Sequence, residues 1–129
     1  MKRLLVPTSS PYGDIGAFSR AVRVGNHVSV AGTAPLDEAG RTVGPDDPEA
    51  QARQCYEIVK IALEAAGASL HDVVRTRTLL TRIDDWEVVS RVRAEYFANT
   101  RPVDTIVEVS RFIRPEWLVE IEVDAVIAL

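Results

Sequence analysis

The chain has 129 residues, 15 basic against 19 acidic side chains for a net charge of −4, and a hydrophobic share of 47%. That length suits one domain around one core, so residues 1–129 are expected to fold as a unit. No run approaches the ~20 apolar residues of a membrane helix, and the negative charge argues against a nucleic-acid surface, which needs clustered cations. One cysteine and two histidines give neither a disulfide framework nor a zinc ligand set, so neither metal nor cofactor is expected. At the start, "MKRLLVPTSS", the apolar run Leu4, Leu5, Val6 stops at Pro7, too short for a signal peptide; a cytoplasmic location is expected.

The first periodic stretch, "RAVRVGNHVSVAG", holds two alternating runs, Ala21 to Val24 and His27 to Val30, around Gly25-Asn26. A Gly-Asn pair between alternating runs predicts a two-residue hairpin, both residues accepting positive φ. Asp47-Pro48 predicts a helix start, with Asp47 as N-cap and Pro48 in the first turn. Ala52, Cys55, Val59, Ala62 and Ala66 follow at helical steps, and Gly67 stands where a left-handed exit belongs. Asp72 to Thr81 is rich in β-branched residues and predicts a strand. Asp84 is expected to cap a second helix with Trp86, Val89, Val92 or Arg93, and Tyr96 on one side. Arg101-Pro102 closes that helix, "TIVEVS" reads as a strand, and "LVEIEVDAVIAL" as a long final strand.

Two helices among antiparallel-type strands predict an α+β fold: one sheet with both helices on a single face. In the last strand Val119, Ile121, Val123 and Ala125 alternate with Glu120, Glu122 and Asp124. One side is therefore apolar and the other acidic. The second sheet face needs its own cover, which a neighbouring subunit often supplies.

Few residues stand out as chemistry. Cys55 lies on the apolar stripe of the first helix and reads as core rather than nucleophile. His27 reads as a surface histidine, and Ser29, Thr78 and Ser110 lack an adjacent base. Glu120 and Glu122 share a strand face, as do Arg75 and Arg77. The arginines could grip a carboxylate or pair with those acids across the sheet.

Four stretches in order, "IGAFSRAVRVGNHVSVAGTAP", "QARQCYEIVKIALEAAGASLHDVV", "RPVDTIVEV" and "VEIEVDAV", resemble the Rid family, the reactive intermediate deaminases also called YjgF-type proteins. The resemblance spans about Ile15 to Ile127. It implies a chorismate-mutase-like α+β fold, a single mixed or antiparallel sheet with two helices on one face. It also implies a homotrimer with small-molecule clefts between subunits. Deaminating members hydrolyse imines and enamines; in them an arginine two residues after the proline of "RPVDT" clamps the substrate carboxylate, and the first glutamate of "VEIE" helps place the attacking water.

The glutamate is kept as Glu120, but Asp104 stands in the arginine's place. Of the other cleft positions that the resemblance carries over, Gly32 matches, while Phe18, Ala31, Ser90 and Ile106 replace a tyrosine, a serine, an asparagine and a cysteine. Arg101 and Arg77 are the candidates for supplying the missing charge. An aspartate where an arginine held a carboxylate turns attraction into repulsion. If Asp104 and Glu120 face one cleft, their repulsion raises one carboxyl's pKa and makes an acid and base pair that favours a cationic imine, Glu120 orienting water and Asp104 holding the nitrogen. The alternatives are a trimer that binds a metabolite without turnover and, disfavoured by charge, an endoribonuclease.

Overall fold

The computed structural model describes residues 2–128. In chain order its elements are β1 (Arg3–Val6), α1 (Tyr12–Gly16), β2 (Ala21–Val24), β3 (His27–Thr33), α2 (Pro48–Ala65), β4 (Val73–Leu80), α3 (Trp86–Phe97), β5 (Val103–Glu108) and β6 (Val119–Val126). The strands form one six-stranded sheet in the order β1-β2-β3-β6-β4-β5. Helices α2 and α3 pack together, and α2 lies against β3 and β6. The α+β plan expected from the sequence is the observed one.

The local signals act where the pattern put them. Asp47 accepts a hydrogen bond from Ala50 N at 3.1 Å, and Pro48 opens α2. Ala52, Cys55, Tyr56, Val59, Ala62 and Leu63 are buried along its inner face, and the chain leaves through Gly67 at φ +83°. The hairpin pairs Val24 with His27 across Gly25-Asn26. Only Gly25 takes positive φ there, so one glycine suffices for the turn.

Several expectations change. Residues Arg3–Val6 form an edge strand on β2, too short before Pro7 to announce itself by alternation. The short α1 has no periodic signal at all. β4 and β5 run parallel, because α3 serves as a crossover between them; the sheet is thus mixed. Asp84 is not the cap of α3. It sits in a 3-10 turn over Ile83–Asp85, and the helix begins at Trp86 after Asp85, whose carboxylate is taken by Arg82 Nε at 3.0 Å. Trp86 is 50% exposed, and Phe97 is buried instead beside Val89 and Val92. The final strand ends at Val126, and Leu129 lies outside the described residues.

β6 is the pivot of this arrangement. Val119, Ile121, Val123 and Ala125 are buried under the helices, while Glu120, Glu122 and Asp124 are half-buried on the opposite face. Its partners obey the same pleat: Thr76 and Thr78 of β4 are buried, and Arg77 is exposed. Arg77 pairs with Glu122 at 3.4 Å and Asp124 at 3.6 Å on the open face. No helix among the described residues is long and apolar enough to cross a membrane.

One buried polar side chain ties the loops around β6 to α2. Gln51 is fully buried; its Nε2 donates to Gly44 O at 3.1 Å and Glu116 O at 3.0 Å, and its Oε1 accepts from Leu118 N at 2.7 Å. An unmade buried hydrogen bond costs more than a made one contributes. Gln51→Ala strands three backbone groups and is expected to lower unfolding stability by about 3 kcal/mol, measured as a shift of the urea midpoint at unchanged slope. Loss below about 0.5 kcal/mol would mean that water satisfies those groups.

Candidate active site

A cavity of about 590 Å³ opens between the N-terminal segment, the outer side of α2 and the start of β6, with Phe18, Arg20, Gly32 and Glu120 on its wall. Apolar side chains, among them Ile58, Ile61, Ile113 and Trp117, make up much of the remainder, and Asp37, Glu38 and Glu57 add acids at its wall. This combination of an apolar hollow and a few convergent polar groups is the usual form of a small-molecule site.

Each polar group is placed by the sheet. Glu120 takes the acidic phase of β6 at its first turn of pleat, opposite Leu79 of β4. Gly32 lies in the irregular stretch of β3, where the register with β6 shifts between Val30 and Thr33. A Cβ on Gly32 would stand 3.4 Å from Glu120 Oε1, so the glycine keeps open the space beside the carboxylate. Arg20 precedes β2, and its backbone carbonyl accepts from Ala31 N at 3.0 Å. Its Nη2 donates to Gly32 O at 2.8 Å.

The site wall beyond the sheet is held by Arg114, which reaches both sides of it. Its Nε donates to Tyr12 Oη at 3.0 Å and its Nη1 to Gly40 O at 2.7 Å. The guanidinium lies over the rings of Tyr12 and Trp117 at 5.7 and 5.4 Å. Cation–π contact of this kind fixes α1 to the loop before β6.

Glu120 is electrostatically perturbed. Burial pushes its pKa above the ordinary glutamate value, Arg20 opposes that rise, and Glu122 adds a smaller upward push. Burial also lowers the pKa of Arg20, and Glu120 is among the groups that counter it. Cys55 is buried with its thiol pushed up chiefly by desolvation. It donates weakly to Val119 O at 3.9 Å and is core, as its helical position suggested.

The structure brings together Phe18, Gly32 and Glu120 among the residues singled out from the sequence. It does not bring Asp104 to them within one chain. Asp104 pairs with Thr76 across β4 and β5, and its Oδ1 accepts from Thr76 Oγ1 at 2.8 Å and Thr78 Oγ1 at 3.0 Å. Arg93 of α3 lies 3.8 Å from its Oδ2 and bonds Thr76 Oγ1 and Pro102 O. Asp104 and Glu120 thus sit on opposite faces of the sheet, two strands apart. Within one chain the carboxylate acting on Glu120 is Glu122, not Asp104.

Ile106 follows Asp104 on the helix side of β5, opposite Thr78, and Ser90 is on α3. Arg77 is engaged with acids on the open face. Ala31 adjoins Gly32 without lining the cavity.

Arg20 is the site residue that the sequence reading passed over. Its signal was available, since extending the hairpin register by one pair beyond Ala21 and Val30 sets Arg20 against Ala31, next to Gly32.

The family model described as Endoribonuclease L-PSP matches residues 8–127. A RutC family protein of Pyrococcus horikoshii is 37% identical over 122 residues, 95% of each chain. The 3-aminoacrylate deaminase RutC of Acinetobacter baylyi is 34% identical, over 93% of this chain and 94% of its own. Among solved structures, a YjgF/YER057c/UK114 family member from Mycobacterium tuberculosis is 43% identical with a TM-score of 0.88, covering 98% of this chain and 100% of that one.

The perturbed Glu120 gives a stability signature. A carboxyl whose folded pKa is raised binds its proton more tightly in the folded state, so ionising it costs stability above that pKa. Glu120→Gln mimics the protonated form. It is expected to melt higher than the native chain at pH 7, with the gap closing as pH falls from the folded pKa to the ordinary glutamate value. A gap independent of pH, measured by calorimetry from pH 4 to 8, would contradict the burial of this carboxyl.

Proposed function

That the chain belongs to the Endoribonuclease L-PSP family, which includes the YjgF, RutC and Rid proteins, is the premise from which we propose that it hydrolyses a small imine or enamine. The observation that carries this reading is Glu120: a carboxyl with a raised pKa, on the wall of an apolar cavity, beside a glycine that leaves room at its oxygens. A carboxyl of raised pKa is the better base and can both take and return a proton.

In the proposed reaction, Glu120 takes a proton from water as the water oxygen bonds to the carbon of the protonated imine. The C=N π electrons move onto nitrogen and give a neutral carbinolamine. Glu120 then returns the proton to nitrogen; the C–N bond breaks as the hydroxyl gives up its proton, by way of Glu120, to the departing ammonia, and the products are a ketone or aldehyde and ammonium. An enamine enters the same path after proton transfer to carbon. Apolar walls exclude bulk water and strengthen each of these electrostatic steps.

The specificity differs from that of members with an arginine clamp. Asp104 offers no cation, and its own charge is held by two threonines and Arg93. A guest acid group is not held at position 104, and any clamp for it lies elsewhere. The same reading places the working clefts between subunits of a homotrimer. Its support is the sheet face turned away from the helices, where Leu5, Val24, Val103, Val107 and Val126 are exposed. An endoribonuclease is disfavoured by the net charge of −4.

Imine generated from leucine by an amino-acid oxidase and trapped with semicarbazide provides the assay. The native protein is expected to reduce semicarbazone yield. Glu120→Gln should lose at least about a hundredfold in kcat/KM, the range of general acid–base contributions. The acid limb of the native pH profile should fall above the ordinary glutamate pKa and vanish in that variant. No effect of the native protein on trapping, with the imine still bound, would replace the enzyme by a metabolite binder. Light scattering should return a mass near three times 14.2 kDa; a monomer would remove the intersubunit cleft.

A further inference from the structure

Arg20 is the one cation among the described residues lining the cavity, and nothing in the proposed hydrolysis uses it. Its placement is costly. Nε is shut off from solvent with no hydrogen-bond partner among the described residues, and an unsatisfied buried donor is destabilising. The side chain is fastened instead through Nη2 to the carbonyl of Gly32. Nη1 makes no hydrogen bond to the described residues and is not shut off from solvent as Nε is. One edge of the fork is therefore anchored, and the end carrying Nη1 is left for something else.

The acids near Arg20 do not absorb its charge. Glu120 acts on it through space without a hydrogen bond. Asp37 on the cavity wall accepts from Ala39 N and Arg41 N, both at 2.9 Å, and Glu57 accepts from Tyr96 Oη at 2.7 Å. Glu38 is the fourth carboxylate on the wall, and among the described residues none of the four forms an ion pair with Arg20. Between unpaired opposite charges in such a place, the complementary guest carries both signs.

We propose that Arg20 receives the carboxylate of the guest through its free guanidinium end, so that the site takes small imino or enamino acids, the acid group at Arg20 and the nitrogen toward Glu120. This rests on the hydrolase reading for turnover, but the anion subsite stands on its own geometry. It moves the clamp from β5 to the start of β2. It also accounts for the tolerance of an aspartate at position 104, where no anion needs to bind.

The test uses a matched pair of substrates: the leucine imine, and the imine an amine oxidase makes from isoamylamine, which lacks only the carboxylate. Arg20→Gln is expected to lower kcat/KM at least about tenfold on the first and no more than about twofold on the second, mainly through KM. Arg20→Lys, which keeps the charge but not the fork, should fall between. Equal losses on both imines, or none, would overturn the assignment.

Pyruvate titrated into the native protein gives a readout independent of turnover and of how the variants fold. The ¹⁵Nε resonance of Arg20, identified by its absence in Arg20→Lys or by selective labelling, should shift saturably. An unmoved resonance would overturn the subsite. If the native protein hydrolyses neither imine, the enzyme reading fails alone, and the pyruvate shift still decides for or against Arg20.

Discussion

The pleat of β6 is the constraint from which the rest follows. A strand turns successive side chains to opposite faces, so burying Val119, Ile121, Val123 and Ala125 under the helices forces Glu120, Glu122 and Asp124 to the other side. A slip of one residue would bury three carboxylates and expose four aliphatic side chains, which makes the register non-negotiable. β6 is also flanked on both sides, by β3 and β4. Its acids therefore cannot relax toward an edge. Glu122 and Asp124 are answered by Arg77, while Glu120, at the end of the row, meets a cavity in place of a salt bridge.

That end position is what converts a structural alternation into a chemical group. Halfway along the strand, an acid on the open face is neutralised by a neighbour in the next strand. At the start of β6 the neighbour is Leu79 on one side and the glycine of an irregular β3 on the other. The carboxyl is desolvated without a partner close enough to compensate, and its pKa rises. Arg20 tempers this from a distance. The pair resembles a salt bridge held open, and opposite charges separated in an apolar space interact more strongly with a guest than either would in water.

How much of this could be read from the sequence depended on whether a signal was local. Asp47-Pro48, the stripe through Cys55 and Val59, and Gly67 each act within a few residues, and α2 follows from them. The hairpin at Gly25-Asn26 and the alternation of β6 are local in the same sense. The direction of β5 was not, because two strands separated by a helix pair parallel or antiparallel according to the crossover, which no residue in "TIVEVS" encodes. β1 lacked the length to alternate visibly. For the site, resemblance marked Phe18, Gly32 and Glu120, while Arg20 escaped because a lone arginine before a strand looks like solvated surface until the hairpin register is extended past Val30. The face of Asp104 was hidden for a related reason: it depends on two threonines and an arginine from β4 and α3.

The inward turn of Asp104 has a physical consequence for the charge balance of the fold. An arginine at that position would bring a second cation beside Arg93, whose guanidinium is already committed to Thr76, Pro102 and the ring of Phe97. Two guanidiniums there would repel across a half-buried space with one hydroxyl pair between them. An aspartate resolves that conflict, since it accepts from Thr76 and Thr78 and offsets Arg93 at once. Arg93 and Asp104 are in this sense one unit, each making the other tolerable, and neither leaves a net charge for a ligand. Inside the cavity Arg20 is then the cation set among Glu120, Asp37, Glu38 and Glu57, and the hairpin and the pleat hold Arg20 and Glu120 in place. A chain built this way can give up a cation on β5 and keep one in its site.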